Sequence, residues 1–183
     1  MKTLTKTLLI GLLFLGTYTL SAQHRELGFN ANVTMSGFMY GPMFDARPIL
    51  KFGKSFNSLH RIRMDRTTVN YYTNSQGSYL NVNTGIYLGH EWRKPITDKI
   101  YFVNAPEIGG RYFGGTNYSS QFAGLYYNFG VLYRLNERFN ISLEMPINFE
   151  YNWAHYNNGE STQSMYFNMF NSGNLMTLSY SFK

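Results

Sequence analysis

Between Phe139 and Trp153 the chain alternates without a break. Phe139, Ile141, Leu143, Met145, Ile147, Phe149, Tyr151 and Trp153 take the odd positions, and Asn140, Ser142, Glu144, Pro146, Asn148, Glu150 and Asn152 the even ones. A period of two puts successive side chains on opposite faces of an extended chain, whereas a helix would scatter them around its circumference. The same period recurs in eight segments, roughly 27–38, 44–53, 60–72, 79–92, 99–113, 122–135, 139–153 and 165–182. In the third, Ile62 and Met64 set a phase that Arg66 breaks, which predicts a bulge or the end of the apolar belt. The connectors are short and turn-rich (TNSQGS, KPITD, GGTNYSSQ, NERF, NNGESTQS), so each strand is expected to pair with its sequence neighbours in an up-and-down meander.

One apolar face per strand suits a soluble sandwich, a soluble ligand-binding barrel or a membrane barrel. Three features favour the last. The segments exceed the five or six residues of an ordinary strand and match the roughly 9–11 that a tilted strand needs to cross a bilayer. Aromatic residues gather at segment ends, as two interfacial belts require. One expected rim holds Phe38, Tyr40, Phe44, Tyr71, Tyr72, Tyr79, Tyr112, Phe113, Phe122, Tyr151, Trp153, Tyr166 and Phe167; the other holds Phe52, Trp92, Tyr101, Phe102, Phe139 and Phe182. Finally, the polar face carries Arg47, Lys51, Arg61, Arg63, Arg111 and Arg134 against Asp45, Asp65, Glu91, Glu107, Glu144 and Glu150. This balance predicts ion pairs filling a narrow lumen, with Gly85, Gly89, Gly124 and Gly130 leaving room for the long side chains.

The eight alternating segments and the ending Leu178-Ser179-Tyr180-Ser181-Phe182 resemble small eight-stranded outer-membrane β-barrel proteins of Gram-negative bacteria. The resemblance implies an all-β, antiparallel transmembrane barrel in the outer membrane. It also implies that Tyr180 and Phe182 form the terminal signal read by the barrel-assembly machinery, although Lys183 follows the Phe here. The implied surroundings are outer-membrane lipid and lipopolysaccharide, with the chain a monomer and no cofactor. The role is then structural or surface-interacting; a porin-like narrow pore is opposed by the strand number.

The first 22 residues, MKTLTKTLLIGLLFLGTYTLSA, read as a signal peptide: Lys2 and Lys6, an apolar run from Leu8 to Leu20, and cleavage between Ala22 and Gln23. A 13-residue helix spans about 20 Å, short of a bilayer core of about 30 Å, so this run is too short for an anchor. Residues 23–183 would be the barrel domain, with a formal charge of +6 − 2 = +4 once both lysines are lost. So small and dispersed an excess does not mark a nucleic-acid binder. There is no Cys, hence neither disulfide nor thiolate metal site.

Chemistry is sparse. Pro48, Pro106 and Pro146 interrupt segments 2, 5 and 7; each predicts a bulge or rim, or else a loosened wall admitting a lipid chain, as in the lipid A palmitoyltransferase family. That family's histidine has no counterpart in FMYGPMFD. His60 and His90 show no metal-ligand spacing, and Arg93, Lys94, Lys99 and Lys54 are expected on a solvated rim, within reach of lipid headgroups. His155-Tyr156-Asn157-Asn158 is similar to the His-x-Ser-Asn run of the lipid A deacylase family, in which a Ser-His-acid arrangement cleaves an acyl ester. Asn157 stands in the serine's place and an amide is no nucleophile, so Ser161 or Ser164 would have to serve, with Glu150 or Glu160 orienting His155. The alternative to a structural role is therefore a lipid A-modifying acyl hydrolase or acyltransferase at the outer rim.

Overall fold

The computed structural model describes residues 24–34, 43–65, 67–74, 77–169 and 174–182. The expected signal peptide and its cleavage site, Ala22 and Gln23, lie outside these residues, as do Phe38, Tyr40 and Arg66. The strands are β1 (His24–Thr34), β2 (Met43–Ser55), β3 (Ser58–Met64), β4 (Thr68–Asn74), β5 (Gly77–Pro95), β6 (Ile100–Gly114), β7 (Tyr118–Arg134), β8 (Phe139–Tyr156), β9 (Ser161–Met169) and β10 (Asn174–Phe182). All pairings are antiparallel between neighbours, and β10 pairs with both β8 and β1. The sheet therefore closes on itself as a ring of eight strands: β1, β2, β3, β5, β6, β7, β8 and β10. Closure gives each ring strand a partner on both sides over at least part of its length.

The third and eighth segments, which the alternation presents as single strands, are each divided. Met64 pairs with Ile86 and Thr68 with Asn83, so four steps of one chain meet three of the other. One extra residue reverses the phase. Met64 points outward on an even number, and Val69 and Tyr71 point outward on odd ones. Between Met169, paired with Ile147, and Leu175, paired with Glu144, six steps meet three. Here too the outward set changes parity, from Met165, Phe167 and Met169 to Met176 and Leu178.

Each internal proline stands where one of its two ladders stops, which is the arrangement its missing N–H demands. Pro48 pairs with Phe29 but lies just past the last β2–β3 pair, Ile49 with Arg63. Pro106 falls in the interval between Gly89–Glu107 and Trp92–Asn104 where β5 and β6 form no pairs. Pro146 falls where β8 exchanges β10 for β9. Among the described residues no ladder joins the outer half of β2, Met43–Pro48, to β4.

The two faces reverse the order found in water-soluble proteins. Phe29, Ile108 and Leu125 are 60–63% exposed on the outside, while Lys51, Arg61 and Glu91 are 0–1% exposed within. Some expected belt residues do not belong to a rim. Tyr101 points inward with the other odd residues of β6, and Phe122 points inward beneath Arg111; Phe52 keeps the outward phase, opposite His60, but is covered and packs on that ring. The side chains of Phe44 and Tyr72 lie outside the described residues.

Candidate functional site

The inward face carries a network of charges, densest in the half of the barrel where β1 begins and β10 ends. Arg61, on β3, bridges three carboxylates: Glu107 at 2.7 Å, Glu144 at 2.8 Å and Glu91 at 3.1 Å. Glu91, on β5, also holds Lys51 at 2.8 Å and Arg93 at 2.6 Å. Arg63 grips Glu107 at 2.6 Å, and Arg93 reaches across to Glu26 at 2.7 Å. Burial of this kind is tolerable only when each charge meets an opposite charge in good geometry. The guanidinium supplies that geometry, because its planar fork addresses several carboxylate oxygens at once.

Nearer the opposite end, Arg47 pairs with Asp65 at 2.5 Å and Arg111 with Glu150 at 3.1 Å. Tyr87 donates its hydroxyl to Asp65 at 3.2 Å and Tyr126 donates to Glu150 at 2.6 Å, while the two rings meet edge to face. The described inward pairs thus comprise six cations and six carboxylates: Arg47, Lys51, Arg61, Arg63, Arg93 and Arg111 with Glu26, Asp65, Glu91, Glu107, Glu144 and Glu150.

Two of these were not on the expected list. Glu26 is fully buried and follows the alternation of Leu27 and Phe29, so its inward direction was readable. Arg93 is 3% exposed, which corrects its expected place on a solvated rim. Being in phase with Glu91, it enters the interior because β5 continues to Pro95. Conversely, Arg134 takes no ion pair among the described residues. It lies half-buried at the barrel's end, with its Cζ 4.9 Å from the Phe56 ring, and donates to the Asn136 carbonyl. Asp45 stands opposite Asn32 on β2, and its side chain lies outside the described residues.

Glycines supply the room. A Cβ on Gly89 would stand 2.7 Å from Glu107 Cγ, and one on Gly130 would stand 2.8 Å from Glu144 Cα and meet the Leu143 carbonyl still closer. The end where β1 begins and β10 ends is closed by Phe56, from the β2–β3 turn, against Tyr101, Val103 and Leu132. Arg93 places its Cζ 4.3 Å from the Phe56 ring, which joins this apolar lid to the network. Alternation puts Leu132 on the polar face but offers no sign of a lid.

The catalytic candidates are only partly assembled. His155 Nδ1 lies 2.8 Å from Ser161 Oγ at an exposed strand end, because Ser161 stands opposite His155 across β8 and β9. Glu150 is committed to the interior with Arg111 and Tyr126, and Glu160 is exposed in the adjoining turn. No carboxylate bonds to the His155 ring among the described residues. Asn157 donates to the Thr116 carbonyl, a loop-fastening contact. The terminal pair is ordered by aromatic packing: Tyr180 meets Phe139 at 5.1 Å and Phe182 at 5.0 Å.

Fold and site together define a closed eight-stranded β-barrel with an apolar exterior and a charged, filled interior. No protein-family model matches the chain, and no curated protein matches it in sequence. Similar solved structures include proteins of two bacteria. A major outer membrane protein from Thermus thermophilus shares 10% identity, covering 86% of this chain and 99% of that one at a TM-score of 0.41. Ail, the attachment invasion locus protein of Yersinia pestis, solved in complex with the heparin analogue sucrose octasulfate, shares 12% identity over 87% of this chain and 97% of that one, with a TM-score of 0.39. A second structure of Ail gives 13% identity, the same coverage and a TM-score of 0.34. The fold assignment rests on the strand register of the chain itself.

Proposed function

We propose that this chain is an integral outer-membrane barrel whose filled interior suits a structural or surface-interaction role and not the passage of solutes. The observation that carries the reading is the reversal of faces: large apolar side chains outside, and six cations paired with six carboxylates inside. In water that exterior would be a continuous apolar patch far beyond what monomeric soluble proteins expose. In lipid it is the required surface, since strands paired round a ring satisfy most of their backbone groups within the wall. The bounding medium would then be outer-membrane lipid and lipopolysaccharide, and the chain would insert as a monomer through the assembly machinery, with Tyr180 and Phe182 on its closing strand. Planar-bilayer recording tests the filled interior: folded protein should give no stable conductance steps, and steady openings would refute it. Lipid A from cells with and without the gene should have the same acyl-chain mass. A shift that disappears in His155→Ala would replace the structural reading by the hydrolase or acyltransferase one.

A further inference from the structure

One cluster of titratable side chains lies outside the barrel and takes no part in the interior network. His60 on β3 and His90 on β5 are thirty residues apart in sequence but directly opposite in register. Both follow the outward phase. Their Nδ1 atoms stand 3.3 Å apart, with ring planes at 80° and centroids 4.7 Å apart. We propose that this pair is a two-histidine site for a divalent transition ion of the Zn²⁺ type, close to the barrel end where β1 begins and β10 ends.

The geometry is that of a chelate. Zn–N bonds to imidazole run about 2.0–2.1 Å, and two of them at a tetrahedral angle hold their nitrogens about 3.3–3.4 Å apart. An ion can therefore replace the proton shared by the rings without moving either strand. Ser58 provides the outer contact that metal-binding histidines characteristically have. Its Oγ lies 2.9 Å from His90 Nε2, so with the ion on Nδ1 the proton sits on Nε2 and is donated to Ser58. Aromatic neighbours hold the rings in place: Phe52 packs against His60 at 5.6 Å and Trp92 against His90 at 4.5 Å. His60 is exposed and His90 half-buried, so the remaining coordination positions open outward, to water or to lipid oxygen. Imidazole is a good ligand for zinc, copper and nickel and a poor one for magnesium or calcium, which fixes the class of ion. Among the described residues no group of three or more His, Asp or Glu side chains forms a metal cluster, so the site has two protein ligands and exchanges its ion readily.

The test is calorimetric titration of the folded, detergent-solubilised chain with Zn²⁺, and separately Cu²⁺ electron paramagnetic resonance. One saturable equivalent of Zn²⁺ is expected, and the Cu²⁺ spectrum should show two imidazole nitrogens. His60→Gln and His90→Gln, checked for folding by heat-dependent gel mobility, should each abolish that equivalent, and Ser58→Ala should weaken it about tenfold. Binding that survives both Gln variants, binding that vanishes only in His24→Ala or His155→Ala, or the absence of any saturable uptake would overturn the site.

Discussion

Glu91 is the carboxylate on which the interior turns, and its removal has a calculable effect. It touches Lys51, Arg61 and Arg93 at 2.8, 3.1 and 2.6 Å. In Glu91→Gln, Arg61 keeps Glu107 and Glu144, and Arg93 keeps Glu26. Lys51 keeps no ion-pair partner among the described residues, and its side chain is 1% exposed. The cost is therefore that of one stranded ammonium, about 3–5 kcal/mol, and not three times that amount. Lys51→Met alone leaves Glu91 with two arginines and should cost less. Lys51→Met added to Glu91→Gln should recover most of the loss, since it removes the stranded charge. Urea-driven unfolding in lipid vesicles, followed by tryptophan fluorescence, measures all four corners of this cycle. A Glu91→Gln variant within about 0.5 kcal/mol of the parent, or a double variant no better than Glu91→Gln, would refute the account of the interior.

Other outcomes follow from the same geometry. Leu143→Arg, on the outward face at mid-strand, should cost about 2–4 kcal/mol in a bilayer, whereas Ile96→Arg, in an exposed turn, should cost about 0–1 kcal/mol; equal costs would contradict the assignment of faces. Gly130→Ala should prevent the close approach of β7 to β8 and lower the yield of folded barrel, read by gel mobility, more than Gly159→Ala, where a Cβ meets nothing within 4 Å and only the left-handed φ of 87° opposes the change. Phe56→Ala should remove the apolar lid, with a loss of about 1.5–3 kcal/mol and faster proton leak through reconstituted vesicles; unchanged leak would assign the barrier to the charges alone.

The alternation made the architecture readable because a period of two assigns each residue to a face before any partner is known. It carried through β8 with little error and held within β10, though not across the break between β9 and β10, and it put Arg61, Glu107 and Glu144 on the inward face. It stumbled where one extra residue reversed the phase, between Met64 and Thr68, although Arg66 already broke the pattern there. Arg93 was assigned to the rim because strand ends are fixed by pairing, which a single sequence does not display. The Phe56 lid and the His60–His90 contact depend on turn conformation and on register between distant segments, and neither leaves a local trace.

The claim underlying all of this is that hydrocarbon wets the outward side chains. The chain contains no cysteine, so a single one can be placed at Leu125, Ile108, Ser142 or Ser181 without background. Each is labelled with an environment-sensitive fluorophore, refolded into vesicles and exposed to brominated lipid. Strong quenching at Leu125 and Ile108 and little at Ser142 and Ser181 is the expected pattern. A chain that stays dissolved without detergent or lipid, or labels quenched by lipid at the serines and not at Leu125 and Ile108, would contradict it.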